Sequence, residues 1–367
     1  MKGRMSKHLF VQLAVWSCAG CLYAQTPETI AGHIVWERDF PQIDVSSSGG
    51  AAVDHDGNLW AVSDFPSGAG RLLSITMAGN MRLNAELPPE IDTDFPARIA
   101  MFKLAVSPSG VLALLARYNH TVGSTFYFDG ATIASVNPDG KLAQPKRVAG
   151  GGPEYKEFIA LSDGHFLVLG DQSPMIVLSV DNNGSVSWRR TFPSNWVLPS
   201  AASLLSGGSC VVSPDYIQPI LHMIWMSEKG AVLHRLNLPG QRSQAASGAG
   251  SSCAILFSRS AAQYKSEYLL ANFDRQFNRA WTTRVLASSP SGGGYHLAAV
   301  KDGYVVAIDT NEGGLFVAKY GLGGQLLWSA TDNSRKRANL LISAGDDFYL
   351  VGAGPKGKQS LHIIRGR

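Results

Sequence analysis

Six charged side chains occupy one kind of position in this sequence of 367 residues. Each closes a short apolar run and stands six or seven places after the residue that opens it, usually a glycine. The six are Asp64, Arg117, Asp171, Asp215, Arg259 and Asp309. If the runs are equivalent strands of a repeated unit, these side chains share one rim, where carboxylates could hold a cation such as Ca²⁺ or grip a polar substrate. The sequence favours a plainer alternative, in which each residue closes its strand by hydrogen bonding to turn amides.

Four further residues are candidates for ligand binding. Glu157 and His296 stand where innermost strands of the repeat begin, and a carboxylate with an imidazole can act as base and acid or as two metal ligands. The favoured alternative is that both show polar groups to water in a central channel. Trp196 and Tyr216 fall in predicted loops at the same rim, where aromatic rings can stack on a ligand.

Common catalytic motifs are absent beyond residue 24. The sequence there contains no Gly-x-Ser-x-Gly elbow, no His-Glu-x-x-His, no phosphate-binding loop and no Cys-x-x-Cys pair. The string Asp54–Asn58 superficially suggests a calcium loop, but the carboxylate that an EF-hand needs at position 12 is missing. We therefore expect a hairpin turn there, and catalysis is not favoured.

The elements that position these residues are short β-strands. Apolar runs separated by Gly, Asp, Asn, Ser and Pro recur throughout, whereas long segments of helical periodicity are missing. The charged residues that close the runs are spaced by about 44 to 54 residues, a period typical of propeller blades with four strands each. Tryptophans mark the fourth strand of three repeats, at Trp188, Trp281 and Trp328. We expect them to pack between blades, although a sugar-binding platform is the alternative.

The two ends of the chain predict how the ring closes. The seventh repeat ends after three strands, and the segment from His33 to Phe40, with Trp36, matches the fourth strand around Trp188. A fourth strand supplied from the other end removes an exposed sheet edge. The sequence thus predicts an all-β fold, a seven-bladed β-propeller closed by the N-terminal strand as the last strand of blade seven. Six or eight blades remain alternatives, because repeats four and five have weak inner strands.

Two stretches resemble known repeats. The stretch from Val53 to Trp60 is similar to an NHL or gluconolactonase-type repeat, and the stretch from Val180 to Trp188 is similar to a PQQ-type repeat. The resemblance implies a bacterial β-propeller and no functional residue, because both families use such strings as hairpin turns.

The N-terminus predicts export. Residues 1–24 combine a basic start with a short apolar segment and read as a signal peptide, followed by a single propeller domain over residues 25–367. The alternative is a lipoprotein signal ending before Cys21, which would tether the protein to a membrane. We expect a periplasmic or extracellular location and no transmembrane span. Of the remaining cysteines, Cys210 and Cys253, two buried thiols are favoured over a disulfide, because facing sheets lie about 10 Å apart.

Charge and motif content narrow the function. Without Lys2, Arg4 and Lys7, 29 basic residues face 28 acidic ones, so nucleic acid is not an expected partner. The sequence favours an exported, non-catalytic propeller that binds a protein or glycan on its upper face, the face of the charged rim. The alternatives are a metal-assisted hydrolase or lactonase, a quinone-type oxidoreductase with its site at the channel mouth, and a structural subunit of a cell-envelope assembly. The cofactor is left open, with a divalent cation as the candidate.

Overall fold

The protein is a ring of seven four-stranded antiparallel sheets. The computed structural model describes residues 30–40, 47–64, 70–87, 98–122, 125–148, 155–170, 174–240, 242–261, 265–276, 278–289, 294–310, 314–333, 338–353 and 361–367. In six of the sheets the paired strands are consecutive, so these blades are meanders that run from the channel outward, and in the seventh sheet the outer strand comes from the N-terminal side of the chain. The predicted count of seven blades is confirmed, and six or eight are excluded.

The strands fall where the apolar runs predicted them. Outside the last blade, they are β2 (Ser47–Val53), β3 (Leu59–Asp64), β4 (Arg71–Ile75) and β5 (Met81–Glu86) in blade 1; β6 (Arg98–Val106), β7 (Leu112–Val122), β8 (Thr125–Val136) and β9 (Lys146–Arg147) in blade 2; β10 (Tyr155–Ala160), β11 (Phe166–Gly170), β12 (Ile176–Val180) and β13 (Val186–Thr191) in blade 3; β14 (Ser200–Ser203), β15 (Ser209–Pro214), β16 (Ile220–Met226) and β17 (Val232–Pro239) in blade 4; β18 (Arg242–Ser247), β19 (Cys253–Ala261), β20 (Lys265–Phe273) and β21 (Arg279–Ser289) in blade 5; and β22 (Tyr295–Val300), β23 (Gly303–Asp309), β24 (Leu315–Gly321) and β25 (Leu326–Asp332) in blade 6. Blade 7 consists of β26 (Ala338–Ala344), β27 (Asp347–Ala353), β28 (Leu361–Gly366) and β1 (Ile34–Phe40).

The N-terminal strand closes the ring as predicted. β1 runs antiparallel to β28, with Trp36 opposite Arg365 and Arg38 opposite Ile363. The buried carboxylate of Asp347 forms an ion pair with Arg365 and a second one with Arg367, at 2.6 Å from its Nε. The two ends of the chain are joined in this sheet by the pairing of β1 with β28 and by the amide of Arg367, which donates to the carbonyl of His33 at 3.0 Å.

Apolar surfaces between blades form the core. The innermost strands contact one another around the ring, and β26 of the last blade contacts β2 of the first. Seven clusters of buried apolar side chains lie between the blades, one for each neighbouring pair. Burial of both faces explains why strands such as β11 and β12 are apolar without alternation.

Tryptophans of the fourth strands join neighbouring blades. Each indole donates a hydrogen bond to a carbonyl in the next blade's turn between its third and fourth strands. The pairs are Trp36 with Met77, Trp188 with Glu228, and Trp281 with Leu322, at 2.6–2.7 Å. A left-handed glycine in each turn lies under the ring, and a Cβ on Gly230 would meet Trp188 at 2.5 Å. The predicted packing between blades is confirmed.

Trp328, in the fourth strand of blade 6, has a different neighbour at the point where the ring closes. The next blade is blade 7, in which the corresponding turn is replaced by the two ends of the chain. The ring of His33, at the end of a short 3-10 helix (Ile30–His33), takes the place of the turn and stacks on Trp328 at 4.0 Å.

The expectation of two free thiols is wrong. Cys210 and Cys253 form a disulfide between blades 4 and 5, with Cα atoms 6.3 Å apart. The spacing of about 10 Å between packed sheets is an average. Both cysteines begin second strands, close to the channel, where radially arranged blades converge, so their separation falls within the range that a disulfide spans.

No helix among the described residues is long and apolar enough to cross a membrane.

Candidate functional site

Two of the predicted rim carboxylates close strand ends. Asp215 follows β15, and its Oδ1 accepts hydrogen bonds from the amides of Ile217 at 2.7 Å and Gln218 at 2.9 Å. Asp309 ends β23 and accepts the amides of Gly294 and Ala338, both at 3.1 Å. Because Ala338 starts the next blade, Asp309 also joins blades 6 and 7. These contacts support the plainer alternative for both residues.

The two predicted arginines have different surroundings. Arg117 is buried within β7, which continues to Val122, so the prediction that it closes its strand is wrong. Its Nη1 lies 3.5 Å from the carbonyl of Tyr155, where blade 3 begins. Arg259 is exposed and donates to Glu267 at 2.6 Å, and Arg284 approaches the same carboxylate at 2.9 Å. The structure describes only the backbone of Asp64, at the end of β3.

The predicted cation site gains no support from the described part of the chain. There, no three or more His, Cys, Asp or Glu side chains come together in a way that could hold a metal ion. Asp171, the remaining member of the rim set, lies outside the described residues. The carboxylate of Asp54, in the suspected calcium loop, accepts the amides of Asp56 and Asn58, so this string is a hairpin turn as expected.

Glu157 and His296 lie at the channel, on β10 and β22. Burial raises the pKa of Glu157, and the charge of Lys103 partly offsets this rise. Burial lowers the pKa of His296 to about 4, helped by Lys103 and opposed by a hydrogen bond from Nε2 to the carbonyl of Ala338, at 2.9 Å. The neutral imidazole therefore holds the start of blade 7 at ordinary pH. Roles for Glu157 and His296 in ligand binding stay predictions.

A pocket of about 340 Å³ lies beside Trp196, at the interface of blades 3 and 4. It is lined by Pro193, Asn195, Trp196, His222, Met223, Arg235 and Asn237. The indole of Trp196 is only 6% exposed. It stacks on His222 at 4.1 Å and on Phe192 at 5.4 Å, so a ligand can reach its edge but not a free ring face. Ligand binding by Trp196 stays a prediction.

Asp215 and His222 form a hydrogen-bonded pair behind this pocket. Nε2 of His222 lies 3.1 Å from Asp215 Oδ2, and the amide of Asn195 donates to the same oxygen. Burial raises the pKa of Asp215, but the hydrogen bonds from Gln218, His222 and Ile217 outweigh it and leave the pKa below its usual value. The other imidazole nitrogen, Nδ1, lies 2.9 Å from the side-chain oxygen of Asn237. In a catalytic triad this second nitrogen faces a nucleophile, and an asparagine amide is not one. The pair therefore positions the pocket wall.

An exposed apolar patch lies above the pocket. Its members, Leu198, Tyr216 and Ile217, are 55%, 82% and 76% exposed. Trp196 and Asp215 form a β-bridge between the two loops that carry the patch, and the amide of Tyr216 donates to a carbonyl of the other loop at 2.7 Å. Leu198 has a φ of 44°, a conformation that costs a non-glycine residue about 1–2 kcal/mol. We name Leu198, Tyr216 and Ile217 the blade-4 patch.

Sequence reasoning missed three residues of this pocket. His222 is the one imidazole in the otherwise apolar strand β16, and this oddity was its only local signal. In the neighbouring strand β17, Asn237 stands opposite His222 and Arg235 stands opposite Ile224, so both lie on the same face of the sheet as His222. Such a pairing requires the register of two strands, which a single chain does not display.

Comparisons with known proteins show the fold class. No family model matches the chain, and no curated protein matches it. Two crystal structures of BBS1N in complex with ARL6DN, soaked with lead and with mercury, are similar to 91% of this chain and to 97% and 95% of theirs, with TM-scores of 0.56 and 0.53 and 10% sequence identity. A crystal structure of a protein of unknown function from Bacteroides caccae matches 71% of this chain and 90% of its own, with 13% identity and a TM-score of 0.39.

The chain is thus a seven-bladed β-propeller protein. At 10% identity these likenesses show the fold alone. The resemblance of single stretches to NHL and PQQ-type repeats stays a prediction, because no family model supports it.

Proposed function

We propose that this chain is an exported β-propeller that binds a protein partner through its upper face, with the blade-4 patch as the docking surface. The observation that carries the proposal is the exposure of Leu198, Tyr216 and Ile217 on two loops that a β-bridge joins. Exposed apolar surface of this kind is unfavourable in water and is a feature of protein interaction sites. Tyrosine is also a residue type in which binding interfaces are enriched.

The backbone at Leu198 adds a second argument. Strained conformations persist where the surroundings enforce them, and they cluster at functional sites. On both sides of this residue the chain is fixed, by the bridge of Trp196 to Asp215 and by the start of β14. The strain therefore holds an apolar side chain in solvent at the patch.

The disulfide supports export. Disulfides persist in oxidising compartments and are rare in the cytosol. The bond from Cys210 to Cys253 therefore agrees with the signal peptide expected over residues 1–24. Mass spectrometry of the mature protein tests this part: we expect an N-terminus at Gln25, a lipid-modified Cys21 would indicate the tethered alternative, and an intact Met1 would contradict export.

A similar propeller is known with a partner bound. The two BBS1N structures were solved in complex with ARL6DN. They show that a protein of similar fold forms a complex with a partner protein, and they give no information on which residues of this chain would bind one.

Site-specific photo-cross-linking in the producing cells tests the docking surface. A benzoylphenylalanine is placed at Tyr216 in one variant and at Leu205 in another. Leu205 is the matched control, because it is also 82% exposed but lies in the turn after β14, at the opposite face. We expect a discrete protein adduct from position 216 and none from position 205.

A second substitution sharpens this experiment. Ile217→Asp, added to the position-216 variant, should abolish the adduct, whereas Leu205→Asp should leave it unchanged. Equal adducts from both faces, or no adduct from position 216, would contradict the proposal.

A further inference from the structure

The pocket beside the blade-4 patch has a mixed lining. Three of its lining residues are apolar, namely Pro193, Trp196 and Met223, and four are polar, namely Asn195, His222, Arg235 and Asn237. A ligand that fits this lining presents an apolar group next to a polar one.

The charge that faces this pocket is positive. Arg235 is exposed on β17, and within the part of the chain that the structure describes its guanidinium makes no hydrogen bond or ion pair. The carboxylate of Asp215, which contacts the lining residues Asn195 and His222, is already engaged by both of them and by two backbone amides. Its side chain is only 4% exposed, so it does not compete for a ligand. Guanidinium and carboxamide donors together favour a carboxylate.

The size of the pocket limits the ligand. A volume of about 340 Å³ lies at the lower end of the range for ligand pockets, about 300–1,000 Å³. Such a space admits one or two side chains and not an extended cofactor or an oligosaccharide. Its position beside Tyr216 makes it continuous with the blade-4 patch.

We infer that this pocket binds an acidic side chain of the protein partner, a glutamate or aspartate that stands next to an apolar or aromatic residue. The carboxylate pairs with Arg235 and the amides of Asn195 and Asn237, and the apolar neighbour packs on the edge of Trp196. The inference rests on the proposed docking function and names the chemistry that the partner presents.

Nuclear magnetic resonance with two short peptides tests this inference. The purified protein carries ¹⁵N-labelled tryptophan, and the indole signal of Trp196 is assigned with Trp196→Phe. The probes are acetyl-Gly-Glu-Phe-Gly-amide and its glutamine counterpart. We expect the glutamate peptide to shift this signal saturably, with a Kd about tenfold lower than that of the glutamine peptide.

Two arginine variants identify the group responsible. Arg235→Gln should remove the preference for glutamate, whereas Arg279→Gln, an exposed arginine on the outer strand of blade 5, should leave it intact. Equal Kd values for the two peptides, an unchanged preference in Arg235→Gln, or free acetate binding as tightly as the glutamate peptide overturns the inference.

The outcomes separate this inference from the docking function. If position 216 cross-links a partner while the glutamate and glutamine peptides bind equally, the docking surface is supported and the carboxylate-binding pocket is overturned. If the peptides are discriminated while position 216 gives no adduct, the pocket chemistry is supported and the docking surface is overturned.

Discussion

The turn that supports Trp188 offers a sharp test of how the blades pack. Gly230 has a φ of +73°, and a Cβ added there would meet three ring atoms of Trp188 at 2.5–2.9 Å. Gly164 has a nearly equal φ of +87°, and its Cβ would meet nothing within 4 Å. The two alanine variants share the cost of a left-handed backbone and differ in the contact with the indole.

The expected free-energy difference follows from these contacts. The left-handed conformation costs either alanine about 1–2 kcal/mol. Overpacking in Gly230→Ala adds about 1–3 kcal/mol, and displacement of the indole weakens its hydrogen bond to Glu228, worth about 1 kcal/mol. Because Trp188 is half-buried and can move, we expect the lower part of this range, so Gly230→Ala should destabilise by about 2 kcal/mol more than Gly164→Ala.

Equilibrium urea unfolding of the two variants and the parent protein measures this difference. A double variant completes the experiment: with Trp188→Ala already present, Gly230→Ala should cost no more than Gly164→Ala, because the ring it would strike is gone. Equal destabilisation by the two glycine substitutions in the parent would refute the packing of the indole on the turn.

Three further predictions concern stability. Because the pKa of His296 falls from 6.5 to about 4 on folding, the unfolded chain binds a proton more readily than the folded protein. The free energy of unfolding should therefore be highest above pH 6.5 and should fall by up to about 3 kcal/mol as the pH decreases towards 4. In denaturant titrations His296→Asn should flatten this pH dependence, and an unchanged curve would contradict the burial of the imidazole. The disulfide from Cys210 to Cys253 joins residues 43 positions apart, so its reduction should lower the free energy of unfolding by about 4 kcal/mol. An unfolding midpoint that is the same with and without reductant would contradict this prediction. Asp347→Asn leaves the buried Arg365 without its counter-ion and should cost about 3–5 kcal/mol in the same assay, whereas a loss below 1 kcal/mol would contradict a buried ion pair between these two residues.

The sequence predicted the fold because its signals are local. Short apolar runs, turn residues and a regular spacing of strands recur along the chain, and the match of the Trp36 segment to the Trp188 strand indicated the closing strand. The rim carboxylates Asp215 and Asp309 were also placed correctly at strand ends, since each position depends on its own hairpin.

The candidate site depended on contacts between blades. The stacking of Trp196, on the connection after blade 3, on His222 of blade 4 and the disulfide between blades 4 and 5 join segments whose separation depends on the arrangement of the blades in the ring. No single repeat encodes that geometry. The amino-acid sequence by itself determined the repeated four-stranded unit and indicated seven of them closed by the N-terminal strand, because hairpins are specified by neighbouring residues. Only the tertiary structure decided which side chains meet across the interfaces, because those distances arise from the arrangement of all the blades around one axis.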